Sequence, residues 1–186
     1  MRCPDLHNLL RPTDTQERVA TAWMPAIALF LVVICAPARA DFNDGVVALM
    51  TGKYKEALAT FVPLSEMSDH AYAQYFLARM YASGQGVARD YAVAAQWYRR
   101  AAKKGVVDAQ YRLGQLYEIG EGVPQDGEYA FGWYSVAAHL GHERGIAGLE
   151  SMEPGLSENQ LIEAKKLARD LIKNYGVVPK STARDQ

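Results

Sequence analysis

His70, His139 and His142, with Glu143 beside the last, are the residue types from which a metal centre or a general base would be built. His139 and His142 stand three apart, but Leu140-Gly141 falls between them and reads as a helix end. One helical face therefore does not present both rings. No His-Glu-x-x-His and no cysteine pair accompanies them, so no metal site is expected. Glu118, Glu121, Asp126 and Glu128 form an acidic stretch. Paired carboxylates flanking a sugar bond hydrolyse glycosides, yet these fall on a helix end and the turn after it, which is the pattern of a solvated edge. No Gly-x-Ser-x-Gly marks a nucleophile elbow. No catalytic residue and no cofactor is assigned.

The glycines raise a different possibility. Gly84-x-Gly86 and Gly120-x-Gly122 resemble phosphate or calcium loops only superficially, because no strand precedes them and no Gly-Lys-Ser/Thr follows. The alternating acidic ligands of an EF-hand are also missing. What the glycines do share is a period. "GQGVARDYAVAAQWYRRAAKKG" begins at Gly84, and "GEGVPQDGEYAFGWYSVAAHLG" begins 36 residues later at Gly120. A fixed period of this length is the mark of stacked repeats.

Each unit reads as two amphipathic helices. Ala73, Leu77, Met80 and Tyr81 form one stripe, repeated by Ala109, Leu113, Leu116 and Tyr117. Ala94, Trp97, Tyr98, Ala101 and Ala102 form a second, repeated by Ala130, Trp133, Tyr134, Ala137 and Ala138. Asp90 and Asp126 stand where the second helix needs an N-cap, and Gly105 and Gly141 stand where it ends. Ala78 and Gly114 leave room for a close helix crossing.

The pattern Ala-x-x-x-Leu-Gly-x-x-Tyr, Gly-x-Gly-Val-x-x-Asp, Ala-x-x-Trp-Tyr-x-x-Ala-Ala-x-x-Gly resembles the Sel-one-like repeat (SLR) family, a relative of tetratricopeptide repeats. The resemblance implies an all-α fold, a short right-handed α-solenoid of helix pairs. Two clear units are expected over 72–107 and 108–142. A degenerate tetratricopeptide-like unit over 41–71 carries Gly52, Tyr54, Ala57, Phe61 and Leu64. A degenerate unit over 143–176 ends in a capping helix that starts with a Ser157–Gln160 capping box. Residues 177–186 read as a loose tail.

The same resemblance implies that first helices line a concave groove. The groove positions would be Tyr72, Tyr75, Arg79 and Ala82 in one unit, and Asp108, Tyr111, Gln115 and Glu118 in the next. Tyrosine suits protein recognition, offering a broad apolar face and a hydroxyl, but the recurring Tyr75 and Tyr111 are equally suited to packing the repeat. Arg79, Gln115 and Glu118 differ between units and are the better candidates for partner specificity. The implied function is a non-enzymatic, monomeric adaptor for a protein or peptide partner in the cell envelope. The alternative is a cell-wall-related or penicillin-binding hydrolase, as some exported relatives suggest. Those relatives carry paired cysteines in each repeat, and here Cys3 and Cys35 are the only cysteines.

Both cysteines precede Ala40. An uncharged apolar core from Ala26 to Cys35, followed by Ala38-Arg39-Ala40, has the form of a secretory signal cleaved after Ala40. Cys35 stands where a lipoprotein would be acylated, but Ile34 occupies the position that such a site keeps small. A soluble periplasmic or secreted protein is expected. A net charge of −1 with 22% charged residues gives no reason to expect nucleic acid or an anionic membrane as partner.

Overall fold

The computed structural model describes residues 41–176; the signal segment expected over 1–40 and the tail expected over 177–186 lie outside the described residues. Every regular element among those described is helical. α1 (Phe42–Met50) pairs with α2 (Tyr54–Glu66), α3 (Ala71–Ser83) with α4 (Tyr91–Lys103), and α5 (Val107–Ile119) with α6 (Gly127–His139). α7 (Glu143–Met152) and a 3-10 turn over Glu153–Gly155 lead into α8 (Glu158–Tyr175). Each helix from α1 to α7 packs on its chain neighbour, and α8 folds back onto α6. The result is a helical solenoid closed at one end by α8.

Short-range chemistry starts and stops these helices. Asp90 Oδ1 accepts from the amides of Ala92 and Val93 at 2.9 and 3.0 Å. Asp126 Oδ1 repeats this on Glu128 and Tyr129, both at 3.0 Å. Each cap satisfies amides that have no partner inside the helix, and losing one costs about 1 kcal/mol. α8 begins with the reciprocal Ser157–Gln160 capping box. Past α4 and α6, Gly105 and Gly141 take the left-handed conformation, at φ 84° and 82°.

Gly86 and Gly122 have a second task, which is close approach between units. A β-carbon on Gly86 would lie 2.7 Å from Tyr54 Cβ, and one on Gly122 would overlap the backbone carbonyl of Tyr91. The turn of each unit therefore rests on the first turn of the second helix of the unit before it. The glycines make the seam of the stack.

The core follows the stripes. Leu113 and Leu116 of α5 join Tyr98, Trp133 and the alanines of α4 in one buried cluster, while Leu77 and Met80 of α3 join Ala57 and Phe61 of α2 in another. Ala94, Ala95, Ala101 and Ala102 let backbones approach closely, while each large side chain contributes roughly 1.5–3 kcal/mol through burial. α6 is enclosed by α5, α7 and α8, so every residue from Phe131 to Ala137 is buried. Two glutamines interrupt the apolar surface at the repeat spacing. Gln74 Nε2 donates to Ser65 O and Asp69 Oδ1, and Gln110 Nε2 donates to Ala102 O and Tyr175 O. Both side chains are fully buried, so these bonds hold the start of one unit to the end of its predecessor.

Candidate functional site

The first helices of the two central units face common clefts. Arg79 and Ala82 of α3, Tyr98 of α4, and Arg112 and Gln115 of α5 line one of about 420 Å³. Tyr75, Asp108, Tyr111, Arg112 and His142 line a second. Arg112 belongs to both, so the clefts adjoin. Six of the eight expected groove residues, Tyr75, Arg79, Ala82, Asp108, Tyr111 and Gln115, are thus brought to one surface. Tyr72 is exposed on the first turn of α3 and lines neither cleft.

Glu118 has a task that the sequence reading did not give it. It was expected to be free for a partner, but its Oε2 accepts the Tyr134 hydroxyl at 2.5 Å. Burial and this bond hold the Tyr134 phenol well above its usual range. Glu118 lines a third cleft with Gln125, Ser151 and Leu156. It is an internal acceptor before it is a contact for anything else.

Both readings of the recurring tyrosines find a counterpart. Tyr75 packs against Tyr98 with ring centroids 6.0 Å apart, and Tyr111 against Tyr134 at 5.7 Å. Each is nevertheless only half-buried and lines the second cleft. The guanidinium of Arg79 lies 5.8 Å from the centre of the Tyr75 ring and 5.6 Å from that of Phe76. Arg112 sits 5.8 Å from the Tyr111 ring and donates to Gln115 Oε1 at 2.9 Å. These arginines are held over aromatic faces, and neither is in an ion pair among the described residues.

The histidines serve the backbone. His70 and His142 stand two repeat periods apart and cap α3 and α7. Nδ1 of each accepts a backbone amide at 3.1 Å, from Ala73 and Gly145 respectively. Their rings stack on aromatics of the preceding unit, His70 on Phe42 at 4.7 Å and His142 on Tyr111 at 4.8 Å. His142 Nε2 also lies 3.4 Å from Asp108 Oδ1. His139 is the last residue of α6 and is exposed. Sequence reasoning missed these caps, although the two-period spacing just ahead of a helix stripe was a usable signal. Among the described residues no three His, Cys, Asp or Glu side chains gather as metal ligands, and no helix is long and apolar enough to cross a membrane.

A family model for the Sel1 repeat matches residues 71–106 and 107–142. The chain is similar to the crystal structure of a protective antigen, present in uropathogenic Escherichia coli strains, that displays an SLR fold. That match has a TM-score of 0.69 at 29% identity, over 73% of this chain and 30% of the antigen. It is also similar in fold to a Sel1 repeat protein from Oxalobacter formigenes, with a TM-score of 0.59 at 24% identity, over 70% of this chain and 56% of that one. This chain thus spans well under two thirds of either relative. No curated protein matches the sequence. Residues 71–142 are thus two tandem Sel1 repeats.

Proposed function

We propose that this protein is an exported, non-enzymatic scaffold that binds a protein or peptide partner along the surface shared by α3 and α5. Sel1 repeats generally mediate protein–protein interaction, and their structural neighbours are typically non-catalytic scaffolds. The observation that carries the reading is the adjoining pair of clefts. Half-buried tyrosines and stacked arginines line both, and such residues dominate recognition surfaces because they offer large contact area at low entropic cost. The differences between units, Arg79 against Gln115 and Tyr72 against Asp108, then set which partner is taken.

Photocrosslinking tests this reading. A benzophenone amino acid at Gln115, or at Arg79, is expected to capture a partner from a cell-envelope fraction. The same probe at Gln96, exposed on α4, is expected to capture none. Equal capture from both positions, or none from Gln115 and Arg79, overturns the groove assignment. Export is tested separately by sequencing the N-terminus of the mature protein, which is expected to begin at Asp41. Retention of residues 1–40 or a lipid on Cys35 overturns it.

A further inference from the structure

The two central units solve the same local problem differently. In the later one, the buried Tyr134 hydroxyl is satisfied by a carboxylate of the chain itself, Glu118, at 2.5 Å. Thirty-six residues earlier the tyrosine is Tyr98 and the acceptor position is Ala82, whose methyl group accepts nothing. Tyr98 is 3% exposed, lines the cleft between α3 and α5, and has no hydrogen-bond partner among the described residues. Its hydroxyl is not fully enclosed but opens into the cleft, so this phenolic donor is available to an acceptor that enters there.

The charges beside it also differ. The position of Gly148, which packs on the Tyr134 ring, is held by Arg112 one period earlier. Arg112 and Arg79 both line the Tyr98 cleft, and their charge acts on the Tyr98 phenol against the strong upward effect of burial. Glu121 also lines this cleft, but among the described residues it is ion-paired with neither arginine. The cleft thus combines an unpartnered, cleft-facing hydroxyl with two guanidiniums at the place where the next unit keeps a carboxylate.

We infer that this cleft takes a glutamate side chain of an extended partner peptide, with the Tyr98 hydroxyl, Arg79 and Arg112 as donors. The partner supplies what Glu118 supplies in the neighbouring unit. A carboxylate accepts several donors at once, and charge-assisted bonds of this kind are about twice as strong as neutral ones. The inference rests on the groove reading and names the chemistry that the groove selects.

The probe is acetyl-(Glu-Ala)3-amide, whose only carboxylates are side chains, titrated into isotope-labelled protein and followed by NMR at Tyr98 and at the arginine Nε–H groups. The expected result is movement of Tyr98, Arg79 and Arg112, with acetyl-(Gln-Ala)3-amide producing none. Tyr98→Phe should weaken binding of the glutamate probe about tenfold, the size expected when a hydrogen bond to a charged group is lost. Ala82→Glu installs the internal carboxylate of the next unit, and should abolish probe binding while raising the melting temperature. Should that variant fail to fold, Tyr98→Phe carries the test alone. Equal shifts from the two amidated probes, or unchanged affinity in Tyr98→Phe, overturn the inference. So does tighter binding of acetyl-(Gln-Ala)3 with a free C-terminus, which would assign the cleft to a terminal carboxylate. Because the probe does not depend on partner capture, failure here alongside crosslinking at Gln115 leaves the groove reading standing. Failure of crosslinking at Gln115 and Arg79 removes that reading by itself.

Discussion

The Tyr134 hydroxyl donates to Glu118 Oε2 at 2.5 Å, joining the middle of α6 to the last turn of α5. The phenol is buried, so removing the acceptor alone strands a donor. Glu118→Ala is expected to lower stability by about 1–3 kcal/mol, and Tyr134→Phe by about 1.5–3 kcal/mol. The double variant should lose less than the sum, because each change removes the same bond. Chemical denaturation of the three variants checks this. Strict additivity would show that the bond contributes nothing to the folded state.

The ring of Tyr134 lies between two glycines. A β-carbon at Gly114 would fall 2.8 Å from Cδ1, and one at Gly148 would fall 2.9 Å from Cδ2. Alanine normally favours a helix over glycine by about 1 kcal/mol, so exposed positions gain from this change. Here the ring has no room to retreat, since a shift away from one glycine drives it into the other. Gly114→Ala and Gly148→Ala should each destabilise by about 1–3 kcal/mol. Gly155→Ala, where a β-carbon meets nothing within 4 Å, is the control and should leave the melting temperature near the parent value. A Gly114→Ala protein more stable than the parent would mean that the ring relocates freely.

Periodic features were readable from the sequence because repetition exposes them. The Asp90 and Asp126 caps, the seam glycines and the tyrosine stripe all recur at 36 residues, and each matches a local rule of helix formation or packing. Features that arise from what a neighbouring unit presents were not readable. Glu118 looked exchangeable because its counterpart is Ala82, and only the fold places a phenol beside it. Gln74 and Gln110 recur, but the carbonyls they bind belong to other helices, out to Tyr175. The adjacency of Tyr98 to Arg79 and Arg112 likewise joins three helices. A period reveals what a unit needs in order to form, while the contacts made across units belong to tertiary structure.

Gln110 supplies the next prediction. Its buried Nε2 donates to Ala102 O at 3.1 Å and to Tyr175 O at 3.2 Å, so one side chain ties α5 to the ends of both α4 and α8. Gln110→Met keeps the volume and removes the donor. The two carbonyls then lose a partner in a buried setting, at a cost of about 1–3 kcal/mol. The effect should concentrate at the end of α8, the chain's terminal helix among the described residues. Hydrogen exchange is the measurement, and amides in the last turn of α8 should exchange faster than those of α3. Uniform acceleration across the solenoid would show that Gln110 stabilises the core generally and does not anchor α8.

The last prediction concerns acid. His70 caps α3 only while Nδ1 carries no proton, since that atom accepts the Ala73 amide at 3.1 Å. Burial, then the charge of Lys104, lowers its pKa below the ordinary 6.5. The unfolded chain therefore binds a proton at His70 more readily than the folded one, and stability falls as pH drops below about 6.5 until the folded value is passed. Neighbouring Asp69 acts at lower pH. Its hydrogen bonds to Lys104 and Gln74 lower its pKa below 3.8, so its contribution is present above that value and is lost as pH falls through the folded one. Melting temperatures should thus hold level from neutrality to about pH 9, below the ordinary phenol range, and decline in two stages on acidification. His70→Asn keeps a capping oxygen without a titrating ring, and should remove the first stage while leaving the second. If His70→Asn melts with the same profile as the parent between pH 7 and pH 5, His70 is not the group that titrates.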